Sequence, residues 1–360
     1  MTNQNREELM KSVSSKQLYS ISVEGKRGFI NESGVVVVEP QFLTCGEYSE
    51  GLAMVSKEIG WLFSREHSGF IDEHGDFVIG PASPPGYRLP SKSCAYSYGD
   101  FHEGLAKFWI GDATGYGGFI NRKGDIAIQP EFAHVGDFSG GLACVSLPRS
   151  DGAPFGPKFA GFIDRSGEFV IPPDREFVGT RFSEGLCVIN ITIESDYCPT
   201  VINIRGETVI PPKIYSAIGS FEGGLSRVVK NGKVGCIDTK GDIVIPVEFD
   251  QLWEFEKNNL TTAQKDGKWH IIDRHGRVVQ EVLYSEAFEL GRLRSGLASI
   301  ETRNGDGYIN EHGSLHIPIN YDSGWEFRGE LAMVNFGNFH GYINHQGEMV
   351  WKTDRWDGAE

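Results

Sequence analysis

Ten histidines are the residues of this sequence with the widest range of possible chemistry, because imidazole serves both as a metal ligand and as a general base. Three of them, His74, His275 and His312, directly precede a glycine in a short recurring segment. That position is typical of a turn that tolerates left-handed backbone geometry. The other seven are dispersed, with neither an HExxH motif nor paired ligand spacing. The histidines therefore predict neither a metal centre nor a catalytic base.

The same recurring segment places Asp or Asn three residues before its glycine, and this could suggest calcium binding. The pairs are Asn31 and Gly34, Asp72 and Gly75, Asn121 and Gly124, Asp164 and Gly167, Asn203 and Gly206, Asp238 and Gly241, Asp273 and Gly276, Asn310 and Gly313, Asn344 and Gly347. An EF-hand loop needs alternating oxygen ligands, which these segments lack, and several copies carry neutral Asn. We predict structural turns instead, in which the Asx side chain accepts a backbone hydrogen bond and glycine supplies a positive φ.

Other catalytic and cofactor motifs are absent from the sequence. It contains no GxSxG, no GxxxxGK[ST] and no GxGxxG before a helix. Acidic residues are too numerous to single out a glycosidase pair, and the six cysteines show no CxxC spacing. Cys144, Cys187 and Cys236 stand where other copies carry Ala, Met or Phe, which predicts small buried side chains. We expect no enzyme activity and no cofactor.

The elements that position all these residues are nine copies of one unit of about 34 to 49 residues. In the sixth copy, short β-branched runs predict strand A (Leu225–Val229), strand B (Lys233–Ile237) and strand C (Asp242–Ile245). Asn231-Gly232 predicts a tight A–B hairpin, and the Asx–Gly segment predicts a three-residue B–C hairpin with a glycine bulge. Proline should end strand C, because it cannot donate to a ladder. These prolines are Pro40, Pro81, Pro130, Pro172, Pro211, Pro246 and Pro318.

A connector of roughly ten residues precedes each next strand A. It closes with an aromatic residue or Leu, which we interpret as the core between repeats: Tyr48, Phe101, Phe138, Phe182, Phe221, Leu293 and Phe327. The chain then divides into a polar segment 1–16, nine repeats over 17–351 and a polar tail 352–360. The repeats cover approximately 17–47, 48–100, 101–137, 138–181, 182–220, 221–254, 255–292, 293–326 and 327–351.

Four consecutive repeats carry insertions in the A–B turn. Strand-A Leu lies ten residues before the strand-B glycine position in repeats 1 and 6 to 9, but 17, 13, 19 and 14 residues before it in repeats 2 to 5. The long loops are 53–68, 106–117, 143–160 and 187–199. Insertions on one edge of a repeat array often mark its binding face, although surface hairpins also tolerate insertions without any function.

Aromatic residues in these loops and in the connector 82–99 are the candidate partner-binding residues. They are Trp61, Tyr87, Tyr96, Tyr98, Trp109 and Tyr116. Exposed aromatic side chains suit contact with a protein or a glycan, and each could equally pack against its own repeat.

The composition of the chain indicates which classes of binding partner are expected. The net charge is −15, and phosphate recognition needs clustered Lys and Arg, so the sequence argues against nucleic acid. Residues 1–16 lack the apolar core of a signal peptide, and no window approaches the ~18 apolar residues of a membrane span. We expect a cytoplasmic protein.

The repeat resembles the WG-repeat family, a group of mostly bacterial β-repeat proteins. The closest segments are Phe101–Ala106 (FHEGLA), Gly161–Asp164 (GFID) and Gly241–Pro246 (GDIVIP). The resemblance extends over about residues 17–351, but the Trp-Gly dipeptide is absent, and Trp269 is followed by His270. Membership implies a repeat scaffold, generally without assigned catalysis.

These observations predict an all-β array of nine three-stranded antiparallel meanders. Propellers typically have four to eight four-stranded blades, so an open, curved, solenoid-like array is the first expectation and a closed propeller-like ring the second. The function expected is a non-enzymatic scaffold that binds a protein partner through the edge carrying the long A–B loops. The alternative is a carbohydrate-binding protein that uses the loop aromatics.

Overall fold

The computed structural model describes residues 17–59, 65–80, 96–110, 116–148, 159–179, 181–255, 259–282, 284 and 287–353. These residues form strands and turns, and none of them lies in a helix. No helix in the described part of the chain is therefore long and apolar enough to cross a membrane. The predicted all-β class is confirmed.

The chain folds into two compact units that meet in sequence after Pro130. In the first unit, repeat 1 forms a sheet of β1 (Tyr19–Val23), β2 (Lys26–Ile30) and β3 (Val36–Phe42). Repeat 2 forms β4 (Thr44–Ser49), β5 (Leu52–Ile59), β6 (Arg65–Ile71) and β7 (Phe77–Ile79). Repeat 3 forms β8 (Tyr96–His102), β9 (Leu105–Ile110), β10 (Tyr116–Asn121) and β11 (Ile126–Phe132), which ends just beyond the unit.

In the second unit, repeats 4 and 5 share one sheet. Its strands are β12 (His134–Val135), β13 (Ala143–Ser146), β14 (Phe159–Ile163), β15 (Phe169–Gly179), β16 (Leu186–Ile193), β17 (Asp196–Asn203) and β18 (Thr208–Ile210). Repeat 6 has β19 (Ala217–Ile218), β20 (Leu225–Lys230), β21 (Lys233–Asp238) and β22 (Ile243–Phe249). Repeat 7 has β23 (Gln251–Leu252), β24 (Leu260–Lys265), β25 (Lys268–Asp273) and β26 (Val278–Glu281).

The last two repeats follow the same order. Repeat 8 has β27 (Ala287–Leu290), β28 (Leu297–Thr302), β29 (Gly305–Asn310) and β30 (Leu315–Tyr321). Repeat 9 has β31 (Ser323–Gly324), β32 (Ala332–Phe336), β33 (Phe339–Ile343) and β34 (Met349–Thr353). The neighbouring strands in the sheets of repeats 6 to 9 are all antiparallel.

The prediction of three-stranded units is wrong, because all repeats after the first have a fourth strand. This leading strand comes from the end of the connector and pairs with strand A, as β19 does with β20 in the order β19-β20-β21-β22. Four-stranded antiparallel sheets of this kind are the blades of β-propellers. Each of these later repeats is therefore a four-stranded meander, as in the blades of the propeller-like fold that was the second expectation, and not the three-stranded meander of the first.

The fourth strand exists because a two-residue turn precedes strand A. In repeat 2 this turn is Glu50-Gly51, with φ of 52° and 83°, and Ser49 pairs with Leu52 across it. Two successive positive φ values define the hairpin turn whose twist matches that of the flanking strands. The chain therefore reverses there, and the segment before the turn lies alongside strand A.

The two turns that the sequence predicted have the expected geometry. Asn231 and Gly232 have φ of 53° and 75° in the A–B hairpin, which has a register of Lys230 opposite Lys233. In the B–C turn of repeat 3, Asn121 Oδ1 accepts hydrogen bonds from the backbone N–H of Lys123 and Asp125. The equivalent Asx side chain makes both bonds in all nine repeats, and the following glycine has a positive φ in each.

The prediction that proline ends strand C is wrong for most repeats. Five of the seven prolines lie inside a strand, namely Pro40, Pro130, Pro172, Pro246 and Pro318, whereas β18 ends at Ile210, directly before Pro211, and Pro81 lies outside the described residues. Pro246 lies inside β22, where the pairing with β21 shifts by two residues between Val234–Phe249 and Cys236–Ile245. β22 is the edge of its sheet, and an edge bulge accommodates a residue that cannot donate. The bulge also explains the strand-B glycine, because a Cβ on Gly235 would lie 2.6 Å from the Ile245 carbonyl oxygen.

Repeat 7 differs at both positions. It has His270 at the strand-B glycine position and no proline in strand C. There, His270 pairs with Glu281 and Ile271 with Gln280 in unbroken register. The strand-C backbone of repeat 7 therefore leaves room for a side chain at this position. Repeat 9 also lacks the proline but keeps Gly341, where a Cβ would lie too close to the Trp351 carbonyl oxygen.

Aromatic side chains from the connectors pack between consecutive repeats, as predicted. Phe101 of repeat 3 lies edge-on to Phe70 of repeat 2 with ring centres 4.7 Å apart. In the second unit, Phe182 of repeat 5 has the same relation to Phe162 of repeat 4, at 4.8 Å. Tyr48 is half-buried, whereas the other connector residues of this set are buried. Cys144, Cys187 and Cys236 are also buried, which confirms their expected core position.

Candidate functional site

Each blade has two ends, and they carry different loops. In a four-stranded meander, the A–B turn lies at one end, which we call the A–B end. The turn before strand A and the B–C turn lie at the opposite end, which we call the B–C end. The insertions predicted as a binding edge belong to the A–B end, and the Asx–Gly turns belong to the B–C end.

The insertion 187–199 extends the strands and does not form a loop. Strands β16 and β17 pair without interruption from Leu186–Asn203 to Ile193–Asp196. Glu194 and Ser195, both with positive φ, form the tip. In the insertion 53–68, β5 and β6 likewise stay paired up to Ile59–Arg65. These insertions therefore lengthen hairpins beyond the six paired positions of repeat 6.

Repeats 4 and 5 present their A–B ends on one continuous sheet. Strand β15 is eleven residues long; its first part is strand C of repeat 4, and its last part is the leading strand of repeat 5. Hydrogen bonding thus runs unbroken from β12 to β18. The sheet fixes the described ends of the insertion 143–160, residues 143–148 and 159–160, relative to the hairpin 187–199.

A row with large exposed apolar side chains crosses the A–B end of this sheet, and Glu176 holds its central position, on β15. Its large side chains are Leu147, Phe159 and Tyr197, which are 38%, 52% and 74% exposed, and we call this row, together with Thr192, the hairpin row. The Leu147 N–H donates to the Phe159 carbonyl at 3.2 Å, so the two residues are opposite neighbours. Thr192 is opposite Tyr197 in the register of β16 and β17.

The register places the members of the hairpin row on one face. Phe159 is opposite residue 176 in β15, and the next residue, Phe177, is opposite Ile191. Successive residues of a strand point to opposite faces, so Phe159 shares its face with Thr192 and Tyr197. Phe177 and Ile191 are on the other face and pack against the core that contains Phe162 and Phe182. The row spans four strand spacings, or about 19 Å.

The structure places the aromatic residues predicted to bind a partner in different environments. Trp61 and Tyr87 lie outside the described residues, and Tyr96 lies in β8. Tyr98 is only 6% exposed and belongs to the core with Phe70 and Phe108, so its ring is not available to a partner. Trp109 is half-buried, with Lys107 Nζ 5.6 Å from its ring centre. Tyr116 is 48% exposed and pairs with Ile110.

Sequence reasoning missed the residues of the hairpin row. Tyr197 belongs to the predicted loop 187–199 but was not singled out, because the alternation that exposes it and buries Cys198 becomes visible only once the hairpin register is known. Phe159 directly precedes the strand-B segment Ala160–Gly161. This position, directly before strand B, was the feature of the sequence that could have identified Phe159 as a candidate.

A second candidate site is a cleft at the B–C end between repeats 8 and 9, with a volume of about 600 Å³. Three histidines line it, together with Glu311 and Glu330: His312, His316 and His345. His345 Nδ1 is 3.3 Å from Glu330 Oε2, and its ring stacks on Phe327 at 4.5 Å. His316 Nε2 is 3.1 Å from the His345 carbonyl oxygen.

These groups do not form a metal centre. In the described part of the chain, no three His, Cys, Asp or Glu side chains are close enough together to hold a metal ion. The cleft is instead lined by hydrogen-bonding groups on separate turns. Its chemistry is that of a polar binding site with an acidic character.

Comparison with known proteins identifies the repeat. The model of the WG containing repeat family matches residues 28–60, 118–147, 161–191, 200–233, 235–269 and 307–338, which together make up more than half of the chain. No curated protein sequence matches significantly.

Three solved structures show a distant likeness. A eukaryotic initiation factor is 11% identical, with 79% of this chain and 92% of that chain covered and a TM-score of 0.41. Apo AztD from Citrobacter koseri is 9% identical, with 94% of both chains covered and a TM-score of 0.41. Hsv2p from Kluyveromyces lactis is 11% identical, with 59% of this chain and 74% of that chain covered and a TM-score of 0.34. These scores are too low to carry an argument about fold or function.

Proposed function

Because the chain belongs to the WG-repeat family, with repeats matched along most of its length, we propose that it is a non-enzymatic scaffold that binds a protein partner at the A–B end of its blades. The hairpin row is the observation that carries this proposal. It joins two of the four predicted insertions on a single hydrogen-bonded sheet. A fixed apolar row suits a protein partner, because such a surface loses little conformational entropy on binding.

The composition of the hairpin row also favours a protein surface. Tyr197 offers a large amphipathic ring of the kind enriched in protein interfaces, and its exposure of 74% leaves most of that area available. Glu194, Ser195 and Asp196 form an exposed polar tip beside it. Apolar anchors with a polar border are the usual anatomy of an interface.

Carbohydrate binding receives less support from the structure. That alternative depended on a connector whose three tyrosines include Tyr98, and Tyr98 is part of the core. Trp109 is half-buried, so it does not present a full ring face for stacking on a sugar.

The experiment is quantitative affinity capture from the native lysate with three forms of the protein. The first is intact; the second carries Leu147→Ser, Phe159→Ser and Tyr197→Ser. The matched control removes a similar set of exposed apolar side chains from outer strands elsewhere in the second unit: Ile243→Ser, Val278→Ser and Val279→Ser.

We expect a protein that is enriched by the intact and control forms and lost with the hairpin-row variant. Far-UV circular dichroism and thermal melting verify that all three forms are folded. Equal capture by all three forms would refute the assignment of the hairpin row. A partner lost with the control but kept by the hairpin-row variant would place the interface on the outer strands instead.

A further inference from the structure

Arginine side chains of the protein itself occupy two grooves at the B–C end. Arg274 lies between repeats 6 and 7. It follows the Asx residue of the repeat 7 turn, and its side chain extends over repeat 6. Its guanidinium donates to the Gly223 carbonyl and, at 3.2 Å, to Asn259 Oδ1. The group also lies 5.9 Å from the ring centre of Phe255. This groove therefore supplies a carbonyl, a side-chain oxygen and an aromatic ring to one guanidinium.

An arginine at the same repeat position also lies in the groove between repeats 2 and 3, where its partner is a carboxylate. Arg122 follows Asn121 in the repeat 3 turn, as Arg274 follows Asp273. Its Nη1 lies 3.8 Å from Glu50 Oε2 in the turn before strand A of repeat 2. Two separate grooves thus hold a guanidinium at the same repeat position.

The cleft between repeats 8 and 9 has these acceptors but lacks the arginine. Aligned on the strand-A Leu, Ser295 corresponds to Gly223, and Glu330 corresponds to Asn259. His345 follows Asn344, so it takes the position of Arg274. Its shorter side chain stacks on Phe327 and pairs with Glu330. The space beyond it is the cleft of about 600 Å³.

The lining of this cleft combines two carboxylates with three imidazoles. Glu311 and Glu330 line it, and no lysine or arginine is among its lining residues in the described part of the chain. Glu330 supplies a carboxylate where the occupied groove has the neutral amide of Asn259. A carboxylate accepts charge-assisted hydrogen bonds from a guanidinium in a geometry that an ammonium does not match.

We propose that this cleft binds a guanidinium group supplied from outside the chain, either by a free arginine-like compound or by an arginine side chain of another protein. The guanidinium occupies the site that Arg274 fills between repeats 6 and 7. It donates to the Ser295 carbonyl and to the Glu330 carboxylate. This site is independent of the hairpin row, because the two lie at opposite ends of the blades.

Two matched probes test the chemistry by isothermal titration and saturation-transfer NMR. Acetyl-arginine amide carries the guanidinium, and acetyl-citrulline amide has a neutral ureido group of nearly the same shape. We expect saturable binding of the arginine probe, with an affinity in about the millimolar range for such a small ligand, and at least tenfold weaker binding of the citrulline probe. Equal binding of the two probes, or no saturable binding of the arginine probe, would overturn the proposal.

Free arginine and the peptide acetyl-Gly-Arg-Gly-amide then distinguish the two sources. Tighter binding of free arginine assigns the cleft to a small molecule, and tighter binding of the peptide assigns it to a protein side chain. Either order supports a guanidinium site.

Two reciprocal variants test the structural equivalence of the grooves. His345→Arg should fill the cleft from within and lower the affinity for the arginine probe at least tenfold, in a folded protein, because other repeats carry arginine there. Arg274→His should empty the groove between repeats 6 and 7, and this groove should bind the arginine probe more weakly than the cleft does, because Asn259 stands there in place of Glu330. Thermal melting verifies folding of both variants. Unchanged binding by folded His345→Arg protein would show that the probe binds elsewhere and would refute the assignment.

Discussion

Replacing Phe182 by Ala tests how strongly consecutive blades depend on each other. Phe182 is 1% exposed, and burying such a ring contributes about 1.5–3 kcal/mol. Its edge-on contact with Phe162 adds about 0.5–1.5 kcal/mol, and the empty space left by the ring adds a further cost. We therefore expect a loss of about 3–5 kcal/mol, which is the usual range for Phe→Ala in a core.

Hydrogen exchange measured by mass spectrometry reports this loss of stability separately for each part of the chain. The method suits a chain of two units, because its unfolding need not be two-state. A loss of 3 kcal/mol corresponds to exchange about a hundredfold faster. Because Phe182 of repeat 5 packs on Phe162 of repeat 4, peptides from both β13–β14 and β16–β17 should lose protection. Phe159→Ala is the control, since its ring is half-exposed and its removal should cost less than about 1 kcal/mol. A loss of protection confined to repeat 5, or equal effects of the two substitutions, would refute the reasoning.

Three further predictions concern the turn, the bulge and the buried thiols. Asn31→Ala removes the acceptor for the Ser33 and Val35 backbone N–H groups and should cost about 1–2 kcal/mol in denaturant unfolding, whereas Asn31→Asp keeps the acceptor and should change stability little. Gly235→Ala places a Cβ against the strand-C backbone and should lower the melting temperature by an amount equivalent to about 1–3 kcal/mol; an unchanged melting temperature would contradict the bulge geometry. Burial raises the pKa of the Cys236 thiol from 9.0 to about 12, so the folded state retains a proton that the unfolded state releases, and stability should fall as the pH rises between these values. Cys236→Val should reduce the loss of stability at alkaline pH. A dependence of stability on pH identical to that of the unchanged protein would contradict this prediction.

Local features of the fold could be predicted from the sequence because one short segment determines each of them. The Asx–Gly pair of the B–C turn and the Asn231-Gly232 hairpin have the predicted geometry, since side-chain capping and positive φ act within four or five residues. The leading strand was missed because its signal is weak. In repeat 6 it is two residues long, and the turn that creates it resembles the end of a connector.

Proline was misinterpreted for a different reason. The sequence shows that Pro246 cannot donate a hydrogen bond, but it does not show that strand C is an edge strand. Only the order of strands in the sheet decides that a bulge can absorb the proline and that pairing resumes at Phe249. The same close approach explains why the facing strand-B position is glycine.

The candidate sites depend almost entirely on tertiary structure. The sequence by itself determined the repeat, its two predicted hairpins, the buried connector aromatics and the location of the insertions, because those properties follow from local backbone preferences and from apolar residues that recur once per unit. The hairpin row and the cleft arise from contacts between different repeats. Tyr197 joins Phe159 through the register of three strand pairs, and His345 opens a cleft because a neighbouring blade supplies the other wall. Such placement is set by packing between segments that are distant in sequence, so it became visible only in the folded chain.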